Sequence, residues 1–311
     1  MKCAVVDVGS NTIRLSVYQT EGKNFRQLFT SKETTGLASY ISHHRMEKDG
    51  VLCAAAALNK FRSILEQFAI DRTEVFATAS LRNIDNSNEV VMELFRETGY
   101  QIKVLSGHEE ALCDFYGVMY NIYIDTGMIF DIGGGSTELV TFENRKPCTI
   151  ESAGIGSLNL YNQFVEKIIP KKKELEAMGE KVQQELDDLF GCRVLARQTK
   201  SKDIIGVGGT VRALLKLVNL YYHLKEKNRC ITRNQLEEIF QMATNKQKQI
   251  QNMILKICPE RVHTIIPGML VMKSILEKAG CEKIVVSKYG VREGYLYHAI
   301  LSRDEDKEEI Q

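Results

Sequence analysis

Val5-Val6-Asp7-Val8-Gly9-Ser10-Asn11 runs into Thr12-Ile13-Arg14-Leu15-Ser16-Val17, and near mid-chain Ile129-Phe130-Asp131-Ile132-Gly133-Gly134-Gly135-Ser136 runs into Thr137-Glu138-Leu139-Val140-Thr141-Phe142. Each stretch reads as a buried strand ending in an acid, a Gly/Ser turn, and a second strand. Recurrence of the unit predicts two related lobes facing a cleft. The plainer alternative is two ordinary hairpins, because glycine is the usual turn residue. A third turn favours the first reading: Ile204-Ile205-Gly206-Val207-Gly208-Gly209-Thr210 is a strand and a glycine turn opening a helical stretch over 211–217.

Around these turns, short β-branched runs alternate with longer helical ones. Strands are expected at 5–8, 13–18, 74–77, 102–105, 128–132, 138–142, 203–207 and 283–287. Helices are expected at 52–68, 89–98, 109–120, 175–190, 211–222, 235–243 and 266–278, with Thr232-x-x-Gln235 as a capping box. The alternation predicts an α/β protein with partly parallel sheets. At roughly 100–200 residues per domain, 311 residues make about two domains.

Composition narrows the partners. Lys+Arg total 41 against 40 Asp+Glu, a formal net charge of +1, which excludes a broad basic surface for nucleic acid or membranes. A polyanionic ligand is then held by local arrangement. No apolar run approaches the roughly 20 residues that span a bilayer. Asp7 interrupts the place where a signal peptide would continue its apolar core. The eight cysteines are scattered without C-x-x-C spacing, which excludes the common zinc and thioredoxin-like signatures. They read as reduced, partly buried small hydrophobes of a cytoplasmic chain. The tail over 302–311 is charged and is expected to fray.

Side-chain-free turns let backbone N–H groups approach an anion, and a helix N-terminus adds its dipole. No Gly-Lys-Ser/Thr follows any of the turns, so none is a Walker A loop, and Val211 stands where a dinucleotide fingerprint needs its third glycine. What remains is a phosphate or nucleotide site made of separate loops: Ser10 and Asn11; Gly133, Gly134, Gly135 and Ser136; Gly208 and Gly209. Asp7 and Asp131 end their strands beside two of these loops, where carboxylates suit Mg²⁺, or Mn²⁺ in its place. The alternative is that each aspartate caps its own turn. Glu138 lies close to the triple-glycine loop or simply faces solvent.

Ser106-Gly107-His108-Glu109-Glu110 is informative through what it separates. Ser106 and Glu109 form a capping box, which gives Glu109 a structural task. Glu110 has none of that kind: it is either a carboxylate placed to take a proton from water or a first-turn acid compensating the helix dipole. Arg14, Arg82 and Arg292 each adjoin a strand end or glycine turn, and their forked donors suit phosphate oxygens, although any one of them is also an ordinary surface arginine. Lys171-Lys172-Lys173 reads as the solvated face of a helix, His43-His44 as part of a loop, and the six histidines show no metal-ligand spacing.

In order along nearly the whole chain, six motifs resemble the Ppx/GppA phosphatases, the exopolyphosphatase and guanosine pentaphosphate phosphohydrolase family. They are Asp7-Val8-Gly9-Ser10-Asn11-Thr12-Ile13-Arg14-Leu15, Thr78-Ala79-Ser80-Leu81-Arg82, Ser106-Gly107-His108-Glu109-Glu110-Ala111, Asp131-Ile132-Gly133-Gly134-Gly135-Ser136-Thr137-Glu138-Leu139, Gly206-Val207-Gly208-Gly209-Thr210-Val211-Arg212-Ala213-Leu214 and Tyr289-Gly290-Val291-Arg292-Glu293-Gly294.

The resemblance implies two actin-like lobes (the ribonuclease H-like, sugar-kinase and heat-shock-protein superfold) around a central cleft. Lobe I would take 1–120 and lobe II 121–311, with a helix at about 292–302 packing back on lobe I. It implies Mg²⁺-dependent hydrolysis of a terminal phosphoanhydride in polyphosphate or guanosine pentaphosphate, with release of orthophosphate. The family's base is the second glutamate of Ser-Gly-x-Glu-Glu, which is Glu110. The same carry-over puts Asp131 and Glu138 near metal or water, Gly133–Ser136 with Gly208–Gly209 around phosphates, and Arg14, Arg82 and Arg292 on substrate.

Two departures stand out. Asn159 occupies the place of a possible anion-binding arginine after the second hairpin, and the chain resembles the short two-domain form. A homodimer is expected by family analogy alone. Rival readings are a kinase of the same superfold, an actin-like nucleotide-binding protein, and a non-catalytic sensor of guanosine tetra- or pentaphosphate.

Overall fold

The computed structural model describes residues 1–191 and 203–302; Cys192 and the tail from Arg303 onward lie outside the described residues. The strands, in chain order, are β1 (Lys2–Val8), β2 (Thr12–Glu21), β3 (Asn24–Thr34), the short ribbon β4 (Ile41–Ser42) and β5 (Arg45–Met46), β6 (Arg72–Ala77), β7 (Ile102–Val104), β8 (Gly127–Ile132), β9 (Thr137–Glu143), β10 (Lys146–Ala153), β11 (Asp203–Val207), β12 (Cys230–Thr232) and β13 (Lys283–Val286).

Among the described residues β1–β3, β6 and β7 form a five-stranded sheet in the order β3-β2-β1-β6-β7, and a six-stranded sheet runs β10-β9-β8-β11-β13-β12. In each, an antiparallel three-strand meander continues into parallel strands: β1 with β6 and β6 with β7, then β8 with β11 and β11 with β13. The second sheet adds β12 as an antiparallel edge. This repeated strand order is the actin-like, ribonuclease H-like arrangement expected above. The duplication reaches the register: Asp7 lies opposite Arg14, and Asp131 lies opposite Glu138, each pair spanning its own Gly/Ser turn.

The chain falls into two compact units, Met1–Gly117 together with the chain from Val291, and Val118–Gly290. Each has its own core. In the first, Val6, Val8, Ile13, Leu15 and Val75 pack with Leu58 and Phe61 of the helix Lys48–Leu65. In the second, Phe130, Leu139 and Ile204 pack with Leu214 of the helix Gly208–Tyr221 and with Met269 and Met272 of the helix Ile265–Ala279. Among the β-branched runs that read as strands, β1 and β8 are buried on both faces along most of their length.

β3 and β10 escaped the sequence reading for a physical reason. Both are edge strands whose residues are largely exposed or half-buried, so polar and charged side chains replace the apolar signal. β10 also carries Pro147, at a bulge where the missing N–H costs nothing. The helices Ser157–Phe164 and Lys248–Ile257 were likewise not anticipated.

After Gly290 a short helix, Val291–Tyr295, continues as π-helix over Leu296–Leu301. It is fastened inside the first unit by buried polar contacts. The Tyr18 hydroxyl donates to Glu293 Oε1 at 2.7 Å, and Arg292 Nη1 donates to Ser16 Oγ at 2.6 Å. Burial, and then the Glu293 carboxylate, raise the Tyr18 phenol well above its usual range, so it stays a proton donor. Gly294 permits the approach, since a Cβ there would stand 1.6 Å from the Cys113 carbonyl oxygen of the helix Gly107–Asn121.

Gly156 is a second position where only glycine fits. A Cβ there would sit 2.2 Å from the carbonyl oxygen of Gly134, whereas one on Gly154 meets nothing within 4 Å. Gly156→Ala is therefore expected to lower the free energy of unfolding by about 1–3 kcal/mol or more, with Gly154→Ala close to neutral. Urea denaturation of both variants checks this.

Candidate active site

Both Gly/Ser turns are held from behind. In the second unit Ser157 N donates to Gly133 O at 2.9 Å, Leu158 N and Asn159 N to Gly134 O at 2.9 and 3.0 Å, and Asn159 Nδ2 to Gly135 O at 2.9 Å. In the first, Ala38 N donates to Ser10 O at 3.0 Å, and Thr35 N and Gly36 N to Asn11 O at 3.2 and 3.1 Å. The segment that follows each meander thus fastens its own turn.

All the described peptides are trans, so each tied carbonyl turns the N–H of the next residue the opposite way. The N–H groups of Gly134, Gly135 and Ser136 point away from the helix Ser157–Phe164, and those of Asn11 and Thr12 away from 35–38. Successive N–H groups turned to one side are a geometry that suits an anion. Asn11 adds to it, because its Nδ2 is buried with no hydrogen-bond partner in the structure. Asn159, at the position of the absent arginine, is a strut for the cradle.

The two hairpins diverge chemically at their facing pairs. Asp131 and Glu138, directly opposed on adjacent strands, put two carboxylates on one face of the sheet. Asp7 instead faces Arg14, a cation. Glu138 is 2% exposed and accepts from Ser152 Oγ at 2.9 Å. Asp131 lies against the third glycine turn: a Cβ on Gly208, whose φ is +90°, would fall 2.0 Å from Asp131 Oδ1.

Among the described residues no group of three or more His, Cys, Asp or Glu side chains forms a metal cage. Mg²⁺ needs less, since it keeps waters and substrate phosphates and takes only one or two carboxylates from the protein. The Asp131–Glu138 pair beside outward-turned N–H groups fits that donor set.

At the carboxyl ends of β1, β6 and β7 the first unit assembles a different group. Ser80 Oγ donates to the last carbonyl of β1, Val8 O, at 2.7 Å, which fixes the short helix Ala79–Arg82. Arg82 Nη1 then reaches Glu110 Oε2 at 2.6 Å and Leu105 O at 3.2 Å. Both side chains are largely buried, at 16% and 11% exposure, which makes the pair strong and directional. The pairing of Arg82 with Glu110 was invisible in the sequence.

Glu109 is occupied as its spacing predicts. It accepts from Ser106 N at 2.9 Å while Ser106 Oγ receives Glu109 N at 3.1 Å. Arg292 donates to Ser16, which lies two residues along β2 from Arg14 and on the same face of that strand.

Sequence reasoning missed two arginines of the second unit. Arg261 Nη1 donates to Thr210 Oγ1 at 3.1 Å, in the Gly208–Thr210 turn. Burial, and then the neighbouring Arg212 charge, hold its guanidinium below the ordinary arginine value, with Asp131 acting in the opposite sense. Two mutually repelling cations beside a helix N-terminus make this turn receptive to anions. Arg212 was already inside a quoted motif; Arg261 follows Pro259-Glu260 with no local signal.

The family model of the Ppx/GppA phosphatase family matches residues 16–303. The chain belongs to that family. Ppx/GppA relatives include a Haemophilus influenzae protein with a provisional exopolyphosphatase name, 23% identical over 300 residues that cover 94% of this chain and 90% of that one. Another is the guanosine-5'-triphosphate,3'-diphosphate pyrophosphatase of Aeromonas hydrophila, 26% identical over 94% of this chain.

This Ppx/GppA chain spans 58% of the Aeromonas protein, and 44% of a bifunctional 3-dehydroquinate synthase/phosphatase from Fusobacterium nucleatum to which it is 26% identical over 92% of its own length. It is thus about half as long as those two relatives. A solved exopolyphosphatase from Cytophaga hutchinsonii shares the fold with a TM-score of 0.85 at 21% identity, covering 97% of this chain and 98% of that one. No helix among the described residues is long and apolar enough to cross a membrane.

Two variants separate scaffold from cradle. Glu109→Ala removes the reciprocal cap and is expected to cost about 1 kcal/mol of stability, read by thermal unfolding, with phosphate binding retained. Asn159→Ala removes one strut and should weaken phosphate-ligand affinity by roughly fivefold, about 1 kcal/mol, with a loss of melting temperature no larger than that of Glu109→Ala. Calorimetric titration with tripolyphosphate checks the second.

Proposed function

We propose that the chain is a phosphohydrolase that releases orthophosphate from the terminal phosphoanhydride of polyphosphate or guanosine pentaphosphate. Family membership and the names of the Haemophilus and Aeromonas relatives support the reaction class. The observation that carries the reading is the tied-back Gly133–Gly135 turn, whose N–H groups face outward beside the Asp131–Glu138 carboxylates.

Phosphoryl transfer from a terminal phosphate needs charge neutralisation and an aligned water more than covalent chemistry from the protein. The N–H groups of the two hairpin turns and of the Gly208–Gly209 turn, with Ser10, Asn11 and Ser136, bind phosphate oxygens. Arg14 on β2 and Arg292, which donates to Ser16 of that strand, with Arg212 and Arg261 in the second unit, add the charged donors. Asp131 and Glu138 would hold Mg²⁺, which when bound supplies further neutralisation of the phosphate charge.

Glu110 is the base. Its carboxylate accepts a proton from water as the water oxygen bonds to the terminal phosphorus. The bridging P–O bond breaks, and its electron pair leaves with the shortened chain. Arg82 fixes the direction of the Glu110 carboxylate through the 2.6 Å contact, so the remaining oxygen lone pairs are aimed. Glu109, one residue away, is committed to the cap and stays out of the chemistry.

Glu110→Gln is expected to reduce orthophosphate release by about 10²–10⁴-fold, the usual worth of a general base, while substrate still binds. Turnover near that of the parent would remove Glu110 from this role. A chelator should stop release and added Mg²⁺ restore it; undiminished activity in chelator would take Asp131 and Glu138 out of the metal role. Release measured side by side on short polyphosphate, long polyphosphate, guanosine pentaphosphate and ATP reads the substrate choice.

A further inference from the structure

Ser16 and Tyr18 alternate along β2 and share one face of that strand with Arg14. Two adjacent residues of the helix Val291–Tyr295 meet them there. Arg292 Nη1 donates to Ser16 Oγ at 2.6 Å, and Glu293 Oε1 accepts from the Tyr18 hydroxyl at 2.7 Å. All four residues lie within the first unit. Ser16 and Tyr18 are fully buried and Glu293 is 4% exposed, whereas Arg292 is half-buried. Of the four, only Arg292 can meet a ligand that arrives from solvent.

Proton positions in this group are set by its acceptors. The Thr30 hydroxyl donates to Leu15 O at 2.9 Å and receives the Ser16 hydroxyl at 3.5 Å, so Ser16 turns a lone pair to Arg292. Burial, and then the Glu293 carboxylate, hold the Tyr18 phenol well above its ordinary range, which keeps it a donor to Glu293. The Tyr18 ring is seated edge-on against Phe25, with centroids 5.6 Å apart.

Elsewhere the helix touches its neighbours sterically: the Gly294 backbone lies against the Cys113 carbonyl, and the Tyr295 ring lies 4.8 Å from that of Phe76. Packing of that kind is non-directional and sets spacing, whereas hydrogen bonds set rotation and register. Adjacent helix residues point about 100° apart, while Ser16 and Tyr18 stand roughly 7 Å apart along the strand. A turn or slide that keeps Arg292 on Ser16 therefore draws Glu293 off Tyr18. With both bonds made, Arg292 has one place, over the strand residue two along from Arg14.

We propose that Tyr18 is a positioning residue for phosphate binding: by holding Glu293 it fixes Arg292 over Ser16, and it takes no part in the reaction itself. The proposal rests on the reading of Arg292 as a donor to phosphate and adds a residue that acts only through it. The competing role is structural, in which the bond stabilises the last described helix and nothing more.

The two roles are separated by calorimetric titration of the full chain with tripolyphosphate, without divalent ion, and by thermal unfolding of the same samples. Tyr18→Phe keeps the ring and its contact with Phe25 and removes only the hydroxyl. It is expected to weaken tripolyphosphate binding about fivefold to tenfold, the scale of one hydrogen bond. Arg292→Ala should weaken binding at least as much. Tyr18→Phe added to Arg292→Ala should then change affinity by less than about twofold, because coupled residues are not additive. If Tyr18→Phe does not fold, the same comparison is made in Glu293→Gln, whose amide oxygen still accepts from Tyr18 and leaves no buried charge behind.

Parent-level affinity in Tyr18→Phe overturns the proposal and leaves the bond a structural one, whatever the melting temperature. Equal weakening with and without Arg292 overturns it too, since Tyr18 then acts by another route. Parent-level affinity in Arg292→Ala rejects the phosphate role of Arg292 and the positioning role with it. Orthophosphate release by the parent chain with Mg²⁺ is measured separately. Its absence rejects the hydrolase reading, while weakened binding in Tyr18→Phe that vanishes without Arg292 still supports the positioning role.

Discussion

The peptide carbonyls of the Gly/Ser turns are all drawn to one side by hydrogen bonds, and the geometry of the two hairpins depends on that constraint. Gly133, Gly134 and Gly135 give their carbonyls to Ser157, Leu158 and Asn159, and Ser10 and Asn11 give theirs to Ala38, Thr35 and Gly36. Planarity then fixes the N–H groups on the opposite side. Several weak bonds, each worth about 1 kcal/mol, thus convert a flexible glycine turn into an oriented set of donors. The glycine at 156 and the edge strand β10 serve the same constraint, because they bring the helix Ser157–Phe164 within reach of the turn.

The duplicated hairpin explains how one local design serves two chemical ends. Strand order and register repeat between the units, including the segment that ties back each turn. What differs is the residue facing the strand-end aspartate, Arg14 in one case and Glu138 in the other. The first hairpin therefore sets an acid opposite a cation, and the second sets two carboxylates opposite each other. The side-chain chemistry diverges at one position of a shared ladder, while the backbone geometry of the turn stays common to both.

Buried polar contacts carry the same economy elsewhere. Ser80, fixed on the end of β1, aims Arg82; Arg82 aims Glu110. Tyr18 and Ser16 on β2 receive Glu293 and Arg292 from the last described helix, which places Arg292 in the first unit although it lies far along the chain. A bonded carboxylate inside a partly buried group keeps one orientation. Near-neutral total charge is compatible with all of this, since backbone donors add nothing to the formal sum.

Local pattern determined much of the chain. The buried runs of β1, β8, β11 and β13 declared themselves by β-branched apolar residues, the capping boxes at Ser106–Glu109 and Thr232–Gln235 by three-residue spacing, and the cradles by their glycines. Edge strands β3 and β10 did not, because solvent exposure lets polar residues replace the alternation that marks a strand. Tertiary structure alone decided which groups meet: Arg82 with Glu110, Arg261 with Thr210, and Asp131 with Gly208. Periodicity and capping are set by neighbours within a few residues, whereas these contacts depend on how strands far apart in the chain line up. That register is the sum of the whole core's packing, and no short stretch of sequence contains it.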